Sequence, residues 1–174
     1  MKRFIPLFAL CIAVGALLAC GESNAGTKAG TSSDTATSTK AVAPTQHFKV
    51  GDVVNVGSTW QVTISNVRTV SPGQYDSIKP GDSYLGIDVN FKNISDKEAS
   101  LYGNADWTLK DTSGQKYDNA YVSSFPNAPD GKVEAGDPAK GSIIFEVPSA
   151  THDFRLAYEQ TMFESGQTIW DLSV

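Results

Sequence analysis

The sequence predicts an all-β domain built as an antiparallel β-sandwich, preceded by a signal peptide and a disordered linker. Apolar and polar residues alternate along several short segments, which is the pattern of strands with one buried face. Turn-forming residues separate these segments at the spacing typical of a sandwich, and no convincing amphipathic helix appears. Strands without intervening helices cannot form a parallel βαβ sheet. Two packed antiparallel sheets or a barrel remain, and we favour the sandwich.

Residues 1–19 have the pattern of a secretory signal. Lys2 and Arg3 form a positively charged start, and a mostly apolar run follows over residues 4–18. That run is shorter than the roughly 20 residues that a membrane-spanning helix needs. Ala19 is the small residue before the predicted cleavage, and Cys20 follows it.

The sequence Leu-Leu-Ala-Cys-Gly at 17–21 resembles the lipobox of bacterial lipoproteins. This resemblance implies a diacylglycerol thioether on Cys20, with a further acyl chain such as palmitate, and two chains anchor a protein stably where one does not. It therefore implies a protein held by lipid to a membrane of the bacterial cell envelope, on the extracytoplasmic side. The alternative is a simple secretory signal that leaves Cys20 as an ordinary residue.

Residues 20–46 differ in composition from the chain that follows them. Gly, Ser, Thr and Ala dominate, and Val42 is the one sizeable apolar side chain, so the segment cannot bury enough surface to offset its ordering entropy. We expect a flexible tether with a root-mean-square reach of about 28 Å. Residues 47–174 then form a single domain of ordinary size, which can bury roughly two-thirds of its surface.

The clearest predicted strand covers residues 84–91, where every second residue is apolar. Within the strand that begins at Trp60, the apolar positions change parity near Ser65-Asn66, which predicts a β-bulge. Further strands are predicted at 143–147, 154–158 and 170–174, with weaker ones at 49–56 (interrupted at 51–52), 107–110 and 116–122. Gly and Pro predict turns at 71–73, 79–82, 111–114, 130–131 and 134–137, and residues 159–166 are expected to make one short helical turn.

Charge and cysteine content exclude several function classes. Loss of Lys2 and Arg3 with the signal changes the net charge from −5 to −7, which argues against a nucleic-acid partner. Cys11 leaves with the signal and Cys20 is the anchor, so the folded domain contains no thiol. We therefore expect no disulfide, no thiolate metal site and no cysteine nucleophile.

Three stretches resemble the bacterial domain of unknown function 4352. They are the Lys-Pro-Gly-Asp turn at 79–82 with the strand after it, the segment 107–117, and the segment 134–148. Domains of that family are similar to secreted immunoprotective antigens, which implies an immunoglobulin-like β-sandwich over nearly all of residues 47–174. The resemblance implies a surface or envelope lipoprotein without established catalytic residues. The Cys-Trp-Cys pattern of antibody domains is absent from the sequence.

Two patterns raise the possibility of an enzyme. Gly81-Asp82-Ser83 resembles the start of the Gly-Asp-Ser-Leu esterases, but Ser149 stands where an aspartate should precede His152, and no Gly-x-Ser-x-Gly elbow occurs. A turn that opens a strand is the preferred interpretation of residues 81–83. Paired carboxylates for glycoside hydrolysis are open on spacing alone, and nothing in the sequence selects a pair.

Metal binding has equally weak support in the sequence. His47 and His152 are the two histidines and could hold a metal with help from carboxylates, although most such histidines are solvated. The acidic residues of the middle region form no Asp-x-Asp-x-Asp-Gly calcium loop and are interpreted as solvated turn positions; they are Asp111, Asp118, Asp130, Glu134 and Asp137. We therefore assign no metal and no cofactor.

Aromatic residues divide into two groups. Trp60, Trp107 and Trp170 occupy apolar strand positions and are expected in the core. Three aromatics near turns could, with segment 123–136, form a contact surface for a glycan or a protein, because loops on a rigid scaffold often contain the binding residues; they are Tyr102, Tyr121 and Phe125.

The sequence thus predicts a non-enzymatic, membrane-anchored binding or interaction domain. Its partner could be another envelope protein, a cell-wall polymer or a small ligand. The alternative is an envelope hydrolase or metal-dependent enzyme that uses His152, Asp153 and loop carboxylates. A passive surface protein without a specific ligand is the third hypothesis.

Overall fold

A computed structural model describes residues 27–28, 46–159 and 167–174. The strands in chain order are β1 (Thr27–Lys28), β2 (His47–Lys49), β3 (Val53–Val56), β4 (Trp60–Val70), β5 (Asp82–Asn93), β6 (Ala99–Tyr102), β7 (Trp107–Asp111), β8 (Lys116–Tyr117), β9 (Asp130–Val133), β10 (Pro138–Pro148), β11 (Asp153–Tyr158) and β12 (Thr168–Ser173). A 3₁₀ helix at Gly103–Asp106 lies between β6 and β7. Among the described residues, no helix could span a membrane.

Two five-stranded sheets pack face to face as a β-sandwich, which confirms the predicted fold class. The first sheet has the order β1-β3-β4-β5-β10, the second has the order β2-β12-β11-β7-β8, and β6 pairs with β9 in a separate ribbon. The interruption predicted at 51–52 separates two strands, β2 and β3, because Gly51 adopts a φ of +90° and the chain changes sheets there. Only a residue without Cβ takes that conformation cheaply.

One pairing departs from the predicted antiparallel arrangement. β2 runs parallel to β12, with Phe48 opposite Trp170, whereas the other pairs among the described strands are antiparallel. The expectation of a wholly antiparallel sandwich is therefore wrong at this edge. Since the pair joins the two ends of the domain, no local pattern in the sequence encodes it.

The core lies between the sheets and is rich in aromatic rings. Trp60, Trp107 and Trp170 are all buried, as predicted. The Phe91 ring lies near the centre of the cluster, with centroid distances of 5.6 Å to Trp60, 5.9 Å to Trp107 and 5.3 Å to Tyr158. Such tilted and edge-on pairs stabilise by about 0.5–1.5 kcal/mol each beyond area burial, which helps a domain that has no disulfide.

The predicted bulge in β4 is present. Ser65 lies opposite Asp88 and Arg68 lies opposite Gly86, so β4 contains one residue more than β5 over this stretch. Asn66 takes the extra position with a φ of +54°, a conformation that Asn tolerates better than most residues. The bulge turns Arg68 to the outer face of the first sheet, beside Asp88.

One strand prediction and one turn prediction between residues 116 and 133 are wrong. Only Lys116–Tyr117 of the predicted strand 116–122 pairs as a strand, and the chain after it follows the edge of β10, where the Ala120 N–H donates to the Ile144 carbonyl at 2.7 Å. The predicted turn at 130–131 is instead the start of β9, which pairs with β6. β9 exposes three of its four residues and β6 buries only Leu101, so neither strand has a clear alternating pattern.

Part of the predicted linker pairs with the domain. Thr27 lies opposite Asn55 at the edge of β3. The signal 1–19, Cys20 and the rest of the linker through residue 45 lie outside the described residues, as does most of the predicted helical turn, residues 160–166.

Candidate functional site

The outer face of the first sheet presents side chains in rows across β4, β5 and β10. Strand register sets these rows, which are Thr63–Asn90–Lys140, Ser65–Asp88–Ser142, Arg68–Gly86–Ile144 and Val70–Tyr84–Glu146. Polar rows therefore lie towards one end of the strands and an apolar patch lies beyond them. The expectation that β5 buries a single face is wrong at its N-terminal half, where Tyr84 and Gly86 are also buried.

Two loops cover the apolar patch. Val70, Tyr84, Val122 and Ile144 form a small second cluster, and Ile78, Ala120 and Phe125 pack against it. The loops that supply these residues are 71–81, between β4 and β5, and 118–129, between β8 and β9. A pocket lies on each side of this covering.

The loops are fixed by hydrogen bonds to each other and to the sheet. Asp76 accepts from the Gly73 N–H at 2.6 Å and from the Ser123 N–H at 3.3 Å, so it joins loop 71–81 to loop 118–129. The Tyr84 hydroxyl donates to the Ser77 carbonyl at 2.7 Å. Burial, with a smaller contribution from Glu146, raises the pKa of Tyr84, so its hydroxyl keeps the proton that it donates.

One pocket, here called the tyrosine pocket, has a volume of about 440 Å³. It lies between Ser77 and Lys79 on one side and segment 115–121 on the other, and Glu146 of β10 also lines it. Tyr121 lines it and is 68% exposed, and Tyr75, two residues before Ser77, is 86% exposed. The pocket therefore has polar walls and exposed aromatic rings on both flanking loops.

The other pocket, here called the arginine pocket, has a volume of about 510 Å³ and lies over the polar rows. Asp88 accepts hydrogen bonds from Arg68 at 3.0 Å, Ser142 at 2.7 Å and Asn66 at 2.9 Å. Burial alone would raise the pKa of Asp88, but these hydrogen bonds outweigh it and lower that pKa. The carboxylate therefore stays ionised and holds the Arg68 guanidinium in place.

The predicted aromatic contact residues separate in the structure. Tyr121 lines the tyrosine pocket. Tyr102 is 51% exposed on β6 and lines neither pocket. Phe125 packs against the second cluster, and the Arg68 guanidinium lies over its ring, 5.1 Å from the centroid. Sequence reasoning missed Tyr75, although an aromatic residue beside a Ser-Pro-Gly turn is itself a signal of an exposed loop position.

The structure places the two histidines in separate surroundings. His47 Nδ1 lies 2.9 Å and 3.0 Å from the two carboxylate oxygens of Asp171. His152 lines a pocket of about 170 Å³ together with Ser83, but no Asp or Glu lines that pocket. The Asp153 carboxylate instead accepts from the Ser173 hydroxyl at 2.9 Å.

The predicted acidic turn residues hold turns or face solvent. Asp111 accepts from Ser113, Gln115 and Tyr117 at 2.7–2.9 Å, and these hydrogen bonds, that from Ser113 foremost, lower its pKa to about 2. The remaining four are exposed: Asp118, Asp130, Glu134 and Asp137. Within the described ranges, no three His, Cys, Asp or Glu side chains form a group that could hold a metal ion.

Comparison with known proteins identifies the fold and a family. The model of a domain of unknown function, DUF4352, matches residues 48–169. No curated protein matches the chain. Three solved structures are similar to it: ycdA of Bacillus subtilis, a lipoprotein candidate; MPT63, a secreted protein of Mycobacterium tuberculosis; and yjhA of Bacillus subtilis.

The likeness to these structures extends to the fold and is weak in sequence. The ycdA match has a TM-score of 0.55 at 18% identity and covers 67% of this chain but only 37% of that protein. For MPT63 the TM-score is 0.52 at 16% identity, covering 75% of this chain and 99% of that one. For yjhA the TM-score is 0.55 at 17% identity, and the match covers 72% of this chain and 98% of that one. At these identities the likeness shows the fold alone.

Proposed function

We propose that this chain, which belongs to the DUF4352 family, is a lipid-anchored binding protein of the bacterial cell envelope. Its ligand is a saccharide of the envelope, which it contacts at the tyrosine pocket without catalysing a reaction. Cys20 is the anchoring residue. The hydrogen bonds that fix the loops beside this pocket favour a binding function over the third hypothesis, a passive surface protein.

The lipid anchor is supported by the N-terminal sequence and by the proteins whose structures are similar. Residues 17–21 match the lipobox pattern, and Lys2 and Arg3 give the signal its positive start. Two similar structures belong to a lipoprotein candidate and to a secreted protein, so an extracytoplasmic location agrees with both. Two or more acyl chains on Cys20 would hold the protein stably at the membrane.

The binding function is supported above all by an exposed tyrosine on each of the two loops that flank the pocket. Tyr75 and Tyr121 are the two most exposed of the large hydrophobic side chains that the structure describes, and Asp76 joins the loops from which they project. A sugar ring has an apolar C–H face and a hydroxyl edge. An aromatic ring can pack against the C–H face, and polar pocket walls can form hydrogen bonds with the hydroxyls. Tyrosine offers both, since its ring is apolar and its hydroxyl is polar.

The non-catalytic part of the proposal is supported by the surroundings of His152. A histidine general base normally needs a carboxylate to orient it and stabilise its positive charge. Ser83 and His152 share a pocket, but the lining includes no Asp or Glu. The resemblance of residues 81–83 to an esterase motif is explained by the turn that opens β5, where the Asp82 N–H donates to the Lys79 carbonyl at 3.0 Å.

The anchor is tested by expression of the natural chain and a Cys20→Ala variant in a bacterial host. The natural chain should partition into detergent, and the variant should be recovered without lipid in the soluble fraction. Equal partitioning of the two proteins into detergent would refute lipidation at Cys20.

The binding site is tested by co-sedimentation of the full chain with purified insoluble cell wall. Tyr75→Ala and Tyr121→Ala should each weaken binding about fivefold or more, since loss of a contacting aromatic costs upwards of about 1 kcal/mol. Tyr102→Ala is the matched control, because it removes an exposed tyrosine of β6, which belongs to neither of the two loops that flank the tyrosine pocket. Equal binding by all four proteins, or loss in the control alone, would place the ligand elsewhere.

A further inference from the structure

The arginine pocket has an excess of positive charge within an acidic chain. Arg68, Lys140 and Asp88 line it. Asp88 pairs with Arg68 at 3.0 Å, whereas Lys140 forms no ion pair with any described residue. One positive charge is therefore unbalanced at the pocket, although the chain as a whole has a net charge of −5. An anionic ligand would be attracted to this position in particular.

Arg68 is already held in one orientation. One Nη1 hydrogen is donated to the Asn66 carbonyl at 2.6 Å, one Nη2 hydrogen is donated to Asp88, and the guanidinium lies over the Phe125 ring. A guanidinium has five N–H donors, so three are not used in the contacts with described residues. A ligand that binds to them meets a group whose side-chain entropy has already been lost on folding.

The side-chain oxygen of Asn90 is a hydrogen-bond acceptor to which no described group donates. This oxygen is buried and has no hydrogen-bond partner among the described residues. Asn90 lies between Thr63 and Lys140 in its row and lines the same pocket. A buried acceptor left unpaired is unfavourable, so a hydrogen bond from a ligand hydroxyl placed here would relieve that cost.

We infer that the arginine pocket binds the carboxylate and an adjacent hydroxyl of an acidic saccharide, a uronic acid unit. The carboxylate contacts Lys140 and the free donors of Arg68, and the hydroxyl donates to Asn90. Ser65 and Thr63 in the neighbouring row positions supply further hydroxyl partners. This inference deepens the proposed function, since it identifies the saccharide as an acidic one and adds a second contact point on the same sheet face.

The test is isothermal titration calorimetry of the full chain in detergent with trigalacturonate and with its methyl ester. The two probes have the same hydroxyls and differ in charge. The acid should bind roughly tenfold more tightly than the ester, because hydrogen bonds to a charged group are stronger than those to a neutral one, and added salt should weaken binding of the acid. Equal affinities, or no binding of the acid, would overturn the inference.

Variants connect the binding to the pocket. Lys140→Gln should weaken acid binding about fivefold, while Lys110→Gln, an equal charge change on β7 of the other sheet, should leave it unchanged. Asn90→Ala should also weaken binding about fivefold. It should not lower the melting temperature, because it removes an acceptor that the free protein leaves unpaired. A parallel loss in Lys110→Gln would indicate attraction by overall charge and would refute the pocket.

The outcomes separate this inference from the proposed function. Loss of cell-wall binding in Tyr121→Ala with no effect of Lys140→Gln on trigalacturonate would retain the tyrosine pocket and reject the acidic saccharide. The reverse result would retain the arginine pocket and reject the tyrosine pocket as the ligand site.

Discussion

Gly86 is the position at which a single methyl group tests the packing between the two pockets. It lies in β5 between Arg68 and Ile144, and a Cβ at this residue would approach Val70 Cγ2 to 2.5 Å. Ordinary contact begins at 3.4 Å, so the groups must separate by about 0.9 Å. Val70 is β-branched and stiff at χ1, which leaves it little freedom to rotate away.

The expected cost of Gly86→Ala follows from two opposed effects. Overpacking of this kind costs about 1–3 kcal/mol. The backbone of Gly86 has no positive φ, so the substitution also restricts the unfolded chain and recovers about 0.4–1 kcal/mol. We expect a net loss of about 1–2 kcal/mol in the free energy of unfolding.

A double-mutant cycle with Val70→Ala tests the reasoning. Val70→Ala alone removes two buried methyl groups and should cost about 1.6 kcal/mol or more. It also removes Cγ2, so Gly86→Ala should become neutral or stabilising in that background. Urea unfolding, followed by tryptophan fluorescence, measures all four proteins. Additivity within about 0.5 kcal/mol would refute the proposed clash.

Three further predictions concern polar groups. Burial raises the pKa of Asp106 above its ordinary value of 3.8, so the folded protein binds that proton more tightly than the unfolded chain does. The free energy of unfolding therefore falls as the pH rises from 3.8 through the raised pKa. Asp106→Asn should remove this fall and be more stable than the natural protein near pH 7 in urea unfolding. The pKa of Asp111 is lowered to about 2, so its contribution is present above the ordinary value and is lost as pH falls. The stability deficit of Asp111→Ala should therefore shrink between about pH 4 and pH 2, and a constant deficit would contradict the hydrogen-bond explanation. Asn93→Ala would leave the carbonyls of Lys97 and Val133 without donors now at 2.7 and 2.9 Å, and we expect it to lower the unfolding free energy by about 2–4 kcal/mol, with a loss under about 1 kcal/mol counting against it.

Local patterns in the sequence were sufficient for the strands that bury one face. The alternation over 84–91 identified the core residues of β5, and the parity change near Ser65 located the bulge that the register shows. Both are short-range signals, because side chains of a strand alternate with a period of two residues. Where a strand lacks that signal, as in β6 and β9, the prediction failed.

The candidate site depended on contacts between residues far apart in the chain. Asp76 and Ser123 are 47 positions apart, and Asp88 and Ser142 are 54 apart. No periodic pattern connects such pairs, so sequence reasoning could select Tyr121 as a loop aromatic but could not place it beside loop 71–81. The buried unpaired oxygen of Asn90 was equally hidden, since it follows from the rows of three strands.

The sequence by itself determined an all-β domain with a tryptophan-rich core, a bulged fourth strand and no cysteine within the described domain, because these follow from composition and from spacing within single segments. Only the tertiary structure decided that β2 lies parallel to β12, that two loops cover the outer face of the first sheet, and that a tyrosine pocket and an arginine pocket lie on either side of that cover. The physical reason is that strand register and loop packing bring distant segments of the chain into contact. The free energy of those contacts depends on both segments, so the sequence of either one alone does not predict it.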